Sequence, residues 1–176
     1  MWTEMSQIYR SNRIKETLAS LVIICDSREK PTRAFKARTE YFPHWRQEKL
    51  DAGDYGCELN VSGELVRLPV AVERKMSIDE LCQCFGKERE RFEREFERAK
   101  EAGTKMYLLV EGADWEKIYK GEYRSRLIPK SLVASLLAWS IRYNITFLFC
   151  KAGTSGRLIY DVLYREAKEF LTNEEG

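Results

Sequence analysis

The sequence predicts an α/β fold in which one mixed β-sheet is flanked by helices on both faces, and three observations carry that prediction. Short continuous apolar runs at residues 21–25 and 106–110 lack the alternation of a half-exposed strand, so they read as strands buried on both sides. Segments of helical periodicity separate the strand-like runs, the order expected of a layered α/β domain. A length of 176 residues at 44% hydrophobic content supports one core, so a single domain is expected over residues 21–176, after an arm or helix at residues 1–20.

Taken in order, residues 1–20 have weak helical character and would pack on the domain or on a second copy of it. After the strand at 21–25, residues 28–40 read as a loop or short helix. Residues 57–66, Cys-Glu-Leu-Asn-Val-Ser-Gly-Glu-Leu-Val, give two strands around a Ser-Gly turn. The strand at 70–75 leads into a helix with a clear start: Ser77 and Glu80 form an S-x-x-E capping box, and Met76 and Leu81 stand where a hydrophobic staple would clamp the entry. Its apolar face, Leu81, Phe85, Phe92, Phe96 and Ala99, is interrupted at 86–88. Six basic and six acidic residues between positions 87 and 101 describe a solvated helix laced with i,i+4 pairs. A short helix is expected at 114–119. Pro129 opens another, since a first-turn residue needs no N–H, and residues 131–143 are apolar almost all round, which suits either the core or a dimer interface. A strand at 145–150, a turn at 153–156 and an amphipathic helix at 157–171 complete the chain.

Composition excludes several classes. The single histidine, His44, leaves zinc hydrolases and histidine-based triads without their parts. Five cysteines, Cys25, Cys57, Cys82, Cys84 and Cys150, contain no C-x-x-C pair and fit packing roles in a reducing, intracellular setting. Neither a signal-peptide core nor a membrane-length apolar stretch is present, so no membrane partner is expected. The net charge of +2 announces no polyanion binder by itself, but residues 28–40 hold Arg28, Lys30, Arg33, Lys36 and Arg38 against Glu29 and Glu40. That local excess is a candidate phosphate-contacting edge.

The chemistry concentrates in Gly53-Asp54 and in Glu73-Arg74-Lys75 followed three residues later by Asp79. Alternation along a strand puts Glu73 and Lys75 on one face, about 6.6 Å apart, and Arg74 on the other. Asp54 adds a second carboxylate, and with Glu73 makes a hard oxygen site suited to Mg²⁺ or Mn²⁺. Asp79 falls in the first turn of the capped helix, where its charge also favours the helix N-terminus.

These residues resemble the XPF family of nucleases, whose signature is G-D, a variable gap, E-R-K, three residues and D. The family's opening strand is matched by 22–29, which ends Asp26-Ser27-Arg28-Glu29; its Arg-aromatic pair by Arg91-Phe92; and its strand ending in Glu by Leu108-Leu109-Val110-Glu111. The resemblance implies a restriction-endonuclease-like core and divalent-metal-dependent hydrolysis of DNA phosphodiesters, with branched DNA (flap, fork or junction) as substrate and a homodimer formed through the nuclease domain. It implies Asp26, Asp54, Glu73, Lys75 and Arg91 as catalytic, with Asp26 joining Asp54 and Glu73 at the metal. Arg28, Lys30, Arg33 and Arg74 are expected at the substrate, and Glu29 and Asp79 in support. The 18 residues between Asp54 and Glu73 exceed what many members need, and nothing resembles the helix-hairpin-helix or helicase domains of larger relatives. A non-catalytic DNA- or protein-binding module is the alternative, although the inactive subunits of the family are degenerate in motifs that this chain retains.

Overall fold

Parallel and antiparallel pairing meet in one seven-stranded sheet, which the computed structural model builds from residues 2–174, with side chains described for 10–173. The strands are β1 (Val22–Asp26), β2 (Trp45–Glu48), β3 (Tyr55–Val61), β4 (Glu64–Arg67), β5 (Val70–Lys75), β6 (Lys105–Glu111) and β7 (Thr146–Cys150). Their order is β2-β1-β3-β5-β6-β7, with β4 paired to β3 off that path. The β1–β2, β5–β6 and β6–β7 pairs are parallel, while β3 runs antiparallel to β1, β4 and β5. As expected from their unbroken apolar runs, β1 and β6 lie inside the sheet.

Helices cover both faces. On one side α3 (Ile78–Phe85), α4 (Arg89–Glu101), α5 (Trp115–Lys120) and α6 (Pro129–Tyr143) enclose a core centred on Trp139, which packs against Phe85, Phe92, Phe96 and Tyr143. On the other, α2 (Arg33–Thr39) and α7 (Ala152–Glu174) cover Ile23, Cys25, Tyr55, Val72 and Leu109. The N-terminal segment is a full helix, α1 (Trp2–Leu18), docked on α7 by an Arg10 Nη2 to Thr172 carbonyl bond of 2.8 Å. All five cysteines are free. No helix among the described residues is long and apolar enough to cross a membrane.

Local chemistry explains the junctions. Ser62 (φ 53°) and Gly63 (φ 94°) make the two-residue turn of the β3–β4 hairpin, the left-handed pair that suits strand twist. Ser77 caps α3 by accepting from the Glu80 N–H at 3.1 Å, and Glu80 reaches back to the Met76 N–H at 2.6 Å. The staple does not form: Met76 is 59% exposed and leaves Leu81 to the core. Helix α6 is not enclosed all round either. Leu132, Leu136 and Trp139 are buried, whereas Leu137 is 47% and Ile141 85% exposed. The turn expected at 153–156 is absent, since α7 runs straight through it. There Gly156 is needed for packing, because a Cβ would lie 2.6 Å from the Arg38 backbone of α2. Strand β2 had no forecast; Trp-Arg-Gln-Glu is polar and short, as a sheet edge tolerates.

Candidate active site

Three strand ends bring the acidic residues together. The Asp26 N–H donates to the Asp54 carbonyl at 2.8 Å, and the Asp54 N–H donates to the Val72 carbonyl at 2.9 Å, so β1, the Gly53-Asp54 turn and β5 are stitched in register. Gly53 has φ +72°, and a Cβ there would come within 2.9 Å of the Ala71 Cβ. Only glycine lets this turn lie flat on β5. From it, Asp54 Oδ2 accepts the Arg74 N–H at 2.8 Å, which aims the carboxylate along the sheet face that carries Glu73 and Lys75.

On that face the charges are crowded. Glu73 is 6% and Lys75 9% exposed; the Lys75 ammonium donates to Glu73 Oε1 and sits 5.0 Å from the centre of the Phe92 ring. Burial, then the neighbouring Asp54 charge, push the Glu73 carboxyl up to about 8 against the pull of Lys75. Burial likewise lifts Asp54 to about 6, opposed by its Arg74 hydrogen bond and by Lys75. Burial alone would depress the Lys75 ammonium, but Glu73 outweighs it and holds the lysine charged above its usual range. A third carboxylate, Glu95 of α4, accepts the Gly53 N–H at 3.3 Å and adds its charge against Glu73. Sequence reading missed Glu95, one of six acids on a charge-balanced helix; its only signal is its place between Phe92 and Phe96 on the rim of the buried face.

The remaining expected site residues are placed differently. Asp26 is buried on the same side, and no group of three potential metal ligands stands together among the described residues. Its oxygens are occupied by Arg28 Nε (2.6 Å) and Nη2 (3.0 Å) and by the N–H groups of Arg28 (2.8 Å) and Leu50 (2.9 Å). Burial would raise its carboxyl, yet these donors leave it below the usual range. Asp26 therefore anchors Arg28, whose side chain is 68% exposed and within electrostatic reach of Asp54 and Glu95. Arg91 points to solvent, 73% exposed and bonded to Glu88 at 2.5 Å. Lys30 and Arg33 are exposed, on and before the first turn of α2. Asp79 Oδ1 takes the N–H groups of Arg124 (2.8 Å) and Ser125 (2.7 Å), so it fixes a loop.

Arg74 cannot serve substrate. Its side chain enters the opposite face of the sheet, only 15% exposed, and pairs with Glu111 at 3.1 Å. Beside it, Tyr55 accepts from Arg38 Nε at 2.9 Å and donates to Glu29 Oε2 at 3.2 Å, and Arg38 Nη2 bonds the same Glu29 oxygen at 3.2 Å. Glu29, Arg38, Arg74 and Glu111 thus form a buried cluster of alternating charge behind β5.

A buried and a half-buried carboxylate held up in pKa, with a charged lysine bonded to the first and a solvent-facing arginine nearby, suit binding of a divalent ion and of a phosphate. The ERCC4 domain model matches residues 25–162, which include all of these groups. Among solved structures, "XPF from Aeropyrum pernix" superposes with a TM-score of 0.57 at 22% identity, covering 80% of this chain and 64% of that one. "XPF from Aeropyrum pernix, complex with DNA" gives 0.59 at 21% identity, covering 84% and 65%. The chain thus spans a little under two thirds of those proteins. No curated protein matches. With the fold, the motif positions and the domain model in agreement over most of its length, the chain belongs to the ERCC4 family of XPF-type nuclease domains.

Proposed function

We propose that this chain is a divalent-metal-dependent DNA endonuclease acting preferentially on flaps, forks or junctions. The observation that carries the reading is the crowding of Asp54 and Glu73 on one face of β5 with Lys75 bonded to Glu73. Two carboxylates raised by burial, Glu73 also by the Asp54 charge, fit a dication, which would relieve both costs. Asp54 and Glu73 would hold it, Mg²⁺ or Mn²⁺, and when bound it supplies Lewis-acid polarisation of the phosphate and a water of lowered pKa. Glu73 gives up its proton as it binds, so affinity rises with pH. Lys75, fixed by Glu73 and Phe92, neutralises the phosphate and orients the attacking water. Arg28, set by Asp26, contacts a phosphate oxygen at the mouth.

A net charge of +2 provides few phosphate contacts, so substrate shape and a second subunit must supply affinity. We assign a homodimer to the exposed face of α6, where Leu137 and Ile141 lie one turn apart. The deciding experiment is cleavage of labelled duplex, single strand, fork, flap and four-way junction with Mg²⁺, Mn²⁺ or EDTA. Metal-dependent cutting that favours the branched substrates is expected. Binding without cutting under every condition would instead make the chain a non-catalytic module. Light scattering should give a dimer mass at tens of micromolar, and a clean monomer would refute the α6 assignment.

A further inference from the structure

A groove lies beside the site and shares Arg28 with it, and beyond Arg28 none of the site chemistry uses it. It has a volume of about 620 Å³ and runs between β3, β5 and α4, walled by the lengthened β3–β4 hairpin. Its floor is made of small residues, Gly56, Ala71 and Ala99, so a chain can approach the sheet closely. Ala71 shares the sheet face of Glu73 two residues away, and Ala99 lies one turn beyond Glu95 on α4. The groove therefore borders the site, with Arg28 common to both.

Its rim is basic. Arg28 stands at the site end and Lys49 and Arg98 farther along, the latter two exposed and without an ion pair to any described residue. Of the lining acids, Glu48 is already neutralised by Arg46 at 3.0 Å and Arg67 at 2.9 Å. Asp51 is left as the one lining acid without such a partner, against the two unpaired cations Lys49 and Arg98 and against Arg28, which Asp26 holds at 2.6 Å. An apolar floor between cationic walls matches a sugar-phosphate chain, whose phosphates turn outward to the rim.

We propose that this groove is the exit track for one DNA strand, its phosphates gripped by Arg28, Lys49 and Arg98 as it leaves the scissile position. The proposal rests on the nuclease reading for its substrate but is tested apart from cleavage. The test is fluorescence anisotropy in EDTA with three labelled ligands: a fork with a single-stranded arm, a single strand, and a blunt duplex. The variants are Lys49→Gln/Arg98→Gln and, for comparison, Arg165→Gln/Lys168→Gln, two exposed cations of α7 on the opposite face of the sheet, with melting curves confirming that both fold.

The groove pair should weaken fork and single-strand binding at least tenfold at low salt. It should also lower the slope of log Kd against log salt by about 1.4, because two single-strand contacts at about 0.7 each are lost. The α7 pair should change the slope little. Unchanged fork and single-strand affinity in the groove pair would overturn the proposal, and an equal loss on blunt duplex would overturn its single-strand assignment. Should the wild type fail to cleave while the groove pair still loses binding, the nuclease reading falls and the groove stands.

Discussion

The two faces of β5 carry consecutive charged residues and treat them in opposite ways. In front, burial lifts the Asp54 and Glu73 carboxyls well above their ordinary values, and the charges of Asp54 and Glu95 lift Glu73 further. Behind, Glu29 pairs with Arg38 at 3.2 Å and Arg74 with Glu111 at 3.1 Å. Both groups are largely buried, so burial does not distinguish function from structure here. Sign does. Paired opposite charges hold the fold, even with Arg74 Nε and Glu111 Oε1 left without hydrogen-bond partners, whereas like charges set together call for a cation from outside.

That contrast can be broken from either side. The largest stability effect belongs to the back: Arg74→Ala leaves Glu111 buried and unpaired, and urea unfolding should show a loss of about 3–5 kcal/mol, most of it recovered when Arg74→Met is combined with Glu111→Leu. If Arg74→Ala were as stable as wild type but lost DNA affinity, the rear cluster would be functional after all. At the front, Glu73→Gln should lower metal-dependent cleavage by at least ~100-fold, about 2.7 kcal/mol of barrier, while DNA binding survives. Near-normal cutting by this variant would remove Glu73 from the metal.

The same carboxyls set a pH dependence. Their folded pKa values of about 6 and 8 lie above the ordinary 3.8 and 4.5, so the folded chain binds more protons and its stability falls as pH rises from 5 to 8. In EDTA, wild type should lose melting temperature across that window, and Glu73→Gln should flatten its upper half; parallel curves would contradict the crowding. Last and smallest, Tyr55→Phe removes the hydroxyl between Arg38 and Glu29 and should cost about 1–2 kcal/mol without altering cleavage.

Much of this was legible in the sequence because it depends on local rules. Alternation separates Glu73 and Lys75 from Arg74, and Ser-x-x-Glu marks the start of α3. What escaped depends on a partner distant in the chain. Asp26 looks like any motif carboxylate until Arg28 and the Leu50 N–H are seen to occupy it. Asp79 has a first-turn position that explains its charge, yet its oxygen serves the loop at 124–125. Glu95 is one acid among six on its helix, and only the approach of the Gly53 N–H distinguishes it. The glycines at 153 and 156 resemble a turn until α2 is found lying against one of them.

The Gly53 turn has a consequence for reading other sequences. Because its missing side chain lets the main chain of Asp54 lie against Ala71 and Val72, the separation of the two carboxylates is set by backbone contact rather than by rotamers. A homologue could retain every acid and the lysine and still be silent if alanine stood at this position, one methyl group lifting Asp54 off the strand. Inventories of charged motif residues would score such a chain as competent. The uncharged letter of the motif is the one that such inventories should weigh first.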